Sequence, residues 1–240
     1  MNFAVPFIER AICEIRYPAT LTYHQKRLPL CQELIEKKPE LAHWTLNLPT
    51  INLRDKAQEE DSNKIFSVSS KGSSLLFRNP GVYDNFTALA GYLLIKTTQV
   101  LEIENLTRLG VRIIYFNECE LKETFDQLKN LLVTRLFNRE GIERFGGSIK
   151  DIASVVEFEK NKYNFNVRVG PLSPEEIEGK VYKGEKYYVP KEKINPSLLV
   201  DVDYFRKNCS SSEIRPTLKK SKSNTQEVLN NILSLLKEEL

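Results

Sequence analysis

Two short charged patterns carry most of the chemistry that the residue types allow. Asp201-Val202-Asp203 places two carboxylates on one side of an extended segment, about 6.5–7 Å apart, with Val200, Val202 and Tyr204 on the other side. Carboxylates at that spacing suit Mg²⁺ or Mn²⁺, given a third ligand from elsewhere. The alternative for such a pair is solvation or pairing with Lys or Arg. Arg108-Leu109-Gly110-Val111-Arg112 places two guanidinium groups on one face around a glycine. With Arg16, they are candidates for holding a phosphate or carboxylate by paired hydrogen bonds. Glu14 and Arg16 share a face of an earlier strand. If that strand lies beside Arg108–Arg112, a cross-strand ladder of salt bridges is the competing expectation.

A third pattern is basic. Arg206, Lys207, Arg215, Lys219, Lys220 and Lys222 fall within 17 residues against one acid, Glu213. These six are candidates for contact with a nucleic-acid backbone; the plain alternative is a solvated loop. The whole chain carries 35 Lys+Arg and 32 Asp+Glu, a formal charge of +3, so the remainder outside that stretch sums to about −2. The basicity is therefore local, and the net charge does not demand a polyanionic partner. Tyr182, Tyr187 and Tyr188 interleave with charges between Glu175 and Lys193, and are candidates for anchoring a protein partner.

Other chemistries have little to draw on. Only His24 and His43 are present, too few for a three-His zinc site. Cys13, Cys31, Cys119 and Cys209 show no Cys-x-x-Cys spacing, and they read as free thiols of a reducing compartment. No Gly-x-Ser-x-Gly, Gly-x-Gly-x-x-Gly or phosphate-binding Walker loop occurs. No cofactor is expected, and the prior for an enzyme falls.

The elements that position these residues follow from periodicity. Ala11, Cys13, Ile15 and Tyr17 alternate with polar neighbours and predict a strand. Leu28 to Lys38 predicts a helix with Pro29 in its first turn. Trp44 to Leu53 alternates but contains Pro49, which predicts an edge strand or two short pieces. Ile65–Val68 and Ser74–Arg78 predict a hairpin turning at Lys71-Gly72. Phe86 to Leu101 and Leu121 to Leu136 show helical spacing, the first with Asn85 as its cap, and Arg108 to Phe116 is a strand between them. Ile152–Phe158 and Tyr163–Val169 predict a second hairpin. The stretch from Glu175 to Lys193 reads as a hairpin or ordered excursion, and Leu198 to Phe205 as a strand. Asn208 to Asn224, rich in Ser and Lys, reads as a mobile loop before a last helix from Thr225, capped by Asn224.

The expected fold is therefore α+β: mixed or antiparallel sheet, with three to four amphipathic helices packed on one side. The expected organisation is one domain over residues 1–240, or two halves, 1–145 and 146–240. No apolar run is long enough to span a membrane, and Met1 to Arg10 lacks the pattern of a signal peptide. A cytoplasmic protein without membrane contact is the expectation. Its oligomeric state is left open.

The motifs also occur in a familiar order. Pro6-x-x-Glu9 leads into Glu14-Ile15-Arg16-Tyr17, Arg108-Leu109-Gly110-Val111-Arg112 comes at mid-chain, and Asp201-Val202-Asp203 comes late. In this the chain resembles a sporadically distributed family of uncharacterised prokaryotic proteins of about this length. The resemblance covers nearly the whole chain, but Ile113-Ile114-Tyr115-Phe116-Asn117 departs from the Tyr-Ile-Asn that usually follows the central arginine strand. It implies architecture rather than activity, and its sporadic distribution suggests a defence or toxin–antitoxin module. Taken together, the expected function is a non-catalytic interaction subunit that recognises a protein partner. A nucleic-acid-binding subunit using the basic stretch is the alternative. A metal-dependent enzyme on a phosphorylated substrate, through Asp201 and Asp203, is the weaker one.

Overall fold

The computed structural model describes residues 3–119, 124–137, 140, 144, 147, 149–180 and 195–237; for 178–180 it describes the backbone alone. Nine strands form one sheet: β1 (Phe7–Arg16), β2 (His43–Leu46), β3 (Thr50–Arg54), β4 (Lys64–Ser69), β5 (Gly72–Arg78), β6 (Asn105–Glu118), β7 (Ser154–Lys160), β8 (Tyr163–Leu172) and β9 (Ser197–Ser210). Their spatial order is β2-β3-β4-β5-β1-β6-β9-β8-β7, and every neighbouring pair is antiparallel. The sheet is thus antiparallel throughout. Strands from before and after residue 145 join it side by side, because β6 pairs with β9 over most of its length.

Alternation gives this sheet two unlike faces. Ala11, Cys13 and Ile15 of β1, Leu109, Val111 and Ile113 of β6, and Val200, Val202 and Tyr204 of β9 are fully buried. On that face pack α1 (Thr22–Lys37), α2 (Tyr83–Val100), α3 (Phe125–Leu136) and α5 (Ile214–Lys237). The opposite face bears the intervening, mostly polar residues. A short helix, α4 (Pro174–Lys180), lies at one end of that face, where Ile177 packs with Phe116 and Leu172.

Several helix boundaries differ from the sequence expectation, each for a physical reason. α1 begins at Thr22, so Pro29 sits inside the helix, on its exposed side. The fully buried Tyr23, whose hydroxyl donates to the Val68 carbonyl at 3.3 Å, anchors the turns ahead of the proline. α2 begins at Tyr83 with Val82 before it and no side-chain cap, so Asn85 lies within the first turn. Tyr83 is held inside by a 2.6 Å hydrogen bond with the Ser221 hydroxyl. α3 is capped by Thr124, which exchanges hydrogen bonds with Gln127.

The largest correction concerns Asn208 to Asn224, read as a mobile loop. It is the end of β9, a single 3₁₀ turn (Ser211–Glu213) and the first eleven residues of α5. Asn224 lies within the helix and caps nothing. Ile214, Thr217, Leu218, Ser221, Thr225 and Leu229 form the buried stripe at helical spacing, while Lys219, Lys220 and Lys222 stay off it. The stripe was masked because half of it is hydroxyl residues. Ser221 donates back to the Leu218 carbonyl at 2.7 Å and Thr225 to the Ser221 carbonyl at 2.8 Å, which keeps both hydroxyls bonded inside the core.

Tyr115 and Thr225 form a second buried hydroxyl pair at 2.9 Å. Burial pushes the Tyr115 phenol up to about 12, and that of Tyr17 likewise to about 12. An unfolded tyrosine ionises near 10. The folded chain therefore holds these protons where the unfolded chain releases them, so stability is intact below about pH 10 and falls between about pH 10 and 12. Tyr115→Phe is expected to lower stability by about 1 kcal/mol at neutral pH, by removing the buried hydrogen bond between the Tyr115 and Thr225 hydroxyls, and to flatten the alkaline slope. Urea melts of both proteins from pH 8 to 12 check this; parallel slopes would contradict it.

Candidate functional site

The open face of the central strands holds the charged residues that the sequence singled out. Arg112 lies opposite Asp203, Glu14 opposite Gly110, and Arg16 opposite Arg108. The Arg108 guanidinium reaches across all three strands. Its Nη2 donates to both Asp203 oxygens, at 2.8 and 2.6 Å, and its Nη1 donates to Glu14 Oε2 at 3.2 Å. Arg16 closes on the same Glu14 carboxylate from its other side, Nε to Oε1 at 2.6 Å. Arg112 grips Asp201 with Nε and Nη2, the Nε bond to Oδ1 being 2.8 Å. Three cations thus face three carboxylates.

Gly110 has a specific job in this arrangement. A Cβ there would lie 2.4 Å from Arg108 Nη1 and 3.1 Å from Phe205 Cβ. The missing side chain makes the trough through which Arg108 runs, with its guanidinium stacked 4.4 Å from the Phe205 ring centroid. The space that the glycine leaves is filled by Arg108 itself.

This geometry weighs on two candidate sites. Asp201 and Asp203 point the same way, as expected, but each is bonded to an arginine rather than turned towards a shared cation. Among the described residues, no group of three His, Cys, Asp or Glu side chains is placed to hold a metal ion. Arg108 has its terminal nitrogens occupied, so an anion there must displace a carboxylate; Arg112 is half-exposed but also paired. Burial pushes the Asp203 carboxyl up, and the neighbouring Arg108 and Arg112 pull it back only in part.

The basic stretch divides into three groups. Arg206 is bound to Glu213, Nη1 to Oε2 at 2.7 Å. Lys207 lies on the open face, its ammonium 5.8 Å from the Phe205 ring. Arg215, Lys219 and Lys222, at i, i+4 and i+7 of α5, line a groove of about 500 Å³ against α2, with Tyr83, Asp84, Thr87, Gly91 and Tyr92 opposite. Lys220 is exposed and outside that groove. The sequence reading missed the α2 wall entirely, since nothing local links residues 83–92 to 215–222. Tyr182, Tyr187 and Tyr188 lie outside the described residues.

A further surface, at the margin of the sheet, was not singled out from sequence. The edge strand β2 is exposed along its whole length. Trp44 is 55% exposed, and Leu48 in the following turn is 81% exposed. Arg27 of α1 donates to the Leu48 carbonyl at 3.2 Å, which brings that turn against the helix that bears the exposed Leu28 and follows the exposed Leu21.

No protein-family model, curated protein or solved structure matches this chain. Among the described residues, no helix is long and apolar enough to cross a membrane.

Arg108→Met is expected to cost about 2 kcal/mol at pH 7, since it leaves Asp203 and Glu14 partly buried without their shared partner. Loss of Arg108 also raises the Asp203 carboxyl further. A carboxyl raised in the folded state is unfavourable while ionised, and that penalty is relieved as pH falls through its raised value. The deficit relative to the parent protein should therefore shrink as pH falls from 7 through that raised value. A deficit that stays constant in denaturant melts across that range would contradict the assignment. Gly110→Ala should cost about 1–2 kcal/mol by crowding Arg108 and Phe205.

Proposed function

We propose that this protein is a non-catalytic interaction subunit that recognises a protein partner through the free edge of β2. The observation carrying this reading is the contrast between the two edges of the sheet. β7, at the far edge, also exposes Val155, Val156 and Phe158, but intersperses them with Glu157, Glu159 and Lys160, charges that discourage another strand from pairing. β2, with the sequence His-Trp-Thr-Leu, bears neither charge nor proline, and presents Trp44 and Leu46 beside Leu48. A free strand edge supplies unpaired N–H and C=O groups, and the neighbouring apolar side chains supply pockets. Trp is the residue type most often found to anchor such contacts. The partner is therefore an extended segment with apolar residues at alternate positions, added as a tenth strand.

The chemistry of the remaining candidates favours binding over catalysis. Each carboxylate on the central face is bonded to an arginine. All four cysteines are buried, and burial pushes the thiols of Cys13, Cys31 and Cys209 up, away from the nucleophilic thiolate. The resemblance to a sporadically distributed prokaryotic family adds the setting to this proposal: a cytoplasmic defence or toxin–antitoxin complex.

The test compares the tagged protein with Trp44→Lys/Leu48→Lys, co-expressed with its neighbouring genes. Both substitutions fall on exposed positions, so melting temperatures should agree within a few degrees. The parent is expected to retain a stoichiometric protein through a high-salt wash, and the variant to lose it. Retention by both, or by neither, overturns the reading. Light scattering on the chain alone covers the remaining occupant: a dimer that the variant abolishes would give the β2 edge to a second copy instead.

A further inference from the structure

The groove between α2 and α5 has the features of a ligand site that is independent of the β2 edge. Its α5 wall places Arg215, Lys219 and Lys222 in a row about 10 Å long, from seven residues at 1.5 Å each. None of the three forms an ion pair among the described residues, whereas Arg206 on the preceding strand does. The three arginines of the central sheet face, by contrast, are all paired with carboxylates. A fourth cation stands at the Tyr92 end, since the Lys38 ammonium lies 5.0 Å from that ring centroid. At the other end, the Lys222 ammonium lies 5.9 Å from the Tyr83 ring.

The α2 wall adds a second, independent observation. Gly91 lies in the interior of α2 and lines the groove. Glycine there is unfavourable relative to alanine, by about 1 kcal/mol in a helix interior. Packing does not require it: a Cβ at Gly91 would meet only Leu218 Cδ1, at an ordinary 3.6 Å. A helix-interior glycine that the fold does not need keeps this stretch of the cationic groove's wall free of a side chain, although its own backbone is buried. Thr87 supplies a hydroxyl on the same wall, and Asp84 the one opposing charge.

We infer that this groove binds a ligand carrying two or more phosphoryl groups in line, held by Arg215, Lys219 and Lys222. Arg offers a planar donor pair to phosphate oxygens and Lys a point charge, and three such cations match a linear polyanion better than a single anion. The phosphoryl groups come either from a free polyphosphate-type ligand or from the backbone of a single-stranded nucleic acid. The inference stands or falls separately from the β2-edge reading.

Two probes separate the sources: inorganic tripolyphosphate, followed by calorimetry, and a fluorescein-labelled oligothymidylate, followed by anisotropy against salt. Binding of tripolyphosphate alone assigns a free ligand. Binding of the oligonucleotide, with log K falling against log salt at a slope of about −2 for three contacts, assigns a backbone. Arg215→Ala/Lys219→Ala/Lys222→Ala is expected to lower affinity about tenfold or more and to flatten the slope. Lys207→Ala/Lys220→Ala, which removes charge outside the groove, should leave affinity within about twofold. Gly91→Leu fills the groove without changing charge and should weaken binding while the protein stays folded, and Asp84→Asn should tighten it. Failure of both probes to bind overturns the inference. So does equal loss in the Lys207/Lys220 variant, or unchanged binding in a folded Gly91→Leu protein.

Discussion

One guanidinium ties the centre of this sheet together. Arg108 sits on β6, the strand on which β1 closes from one side and β9 from the other, and it bonds to an acid on each. Removing an arginine and two carboxylates from water is expensive, and the interaction repays it only with good geometry and saturated donors. Here the donors are directed at both oxygens of Asp203 and one of Glu14, and the ring of Phe205 covers the guanidinium face. Lysine offers a single point charge and cannot bridge in this way. Because β6 and β9 come from opposite halves of the chain, the same contact fixes their register. A slip of β9 by one residue would turn Asp201 and Asp203 to the apolar side, away from Arg108 and Arg112.

The neutral ladder explains how so wide a sheet carries, among the described residues, only one short helix on its open face. The helical face buries the apolar alternates of β1, β6 and β9 beneath α1, α2, α3 and α5. The opposite face needs no such cover where its charges are matched in pairs, and α4 covers only the apolar end around Phe116 and Leu172. Recognition then moves to the margins. The free β2 edge and the α2–α5 groove are two of the places where apolar groups stay exposed or cations have no ion pair among the described residues.

How far the sequence revealed this depended on which signal each element used. β1, β6 and β9 were legible because their buried faces are mostly Ala, Cys, Ile, Leu and Val at a period of two; a ladder was one of two readings of Glu14, Arg16, Arg108 and Arg112, and its β9 half, Asp201 and Asp203, was not tied to those arginines. The start of α1 was not legible, because Pro29 is a boundary signal that the buried contact of Tyr23 overrides. The first half of α5 was hidden by Thr217, Ser221 and Thr225, which count as polar in any hydropathy pattern yet are fully buried. The groove could not be read at all: its walls are more than a hundred residues apart, and only tertiary packing makes Gly91 and Lys219 neighbours.

The hydroxyl stripe of α5 also ties the core to the groove. Ser221 and Thr225 are small enough to let the helix approach Tyr83 and Tyr115, and polar enough to satisfy both phenols on arrival. Leucines at those positions would push α5 outward and strand two buried hydroxyls, each loss costing about 1–3 kcal/mol. The phenol pairs therefore set the separation of α5 from α2 and from the sheet, and with it the width of the groove above Tyr83. Lys222 follows Ser221 directly, so the same turn that carries the buried hydroxyl aims the cation. Core polarity and surface charge are in this way two sides of one helix, and the Ser- and Lys-rich composition that looks like a loop is what an amphipathic helix requires when its inner partners are tyrosines.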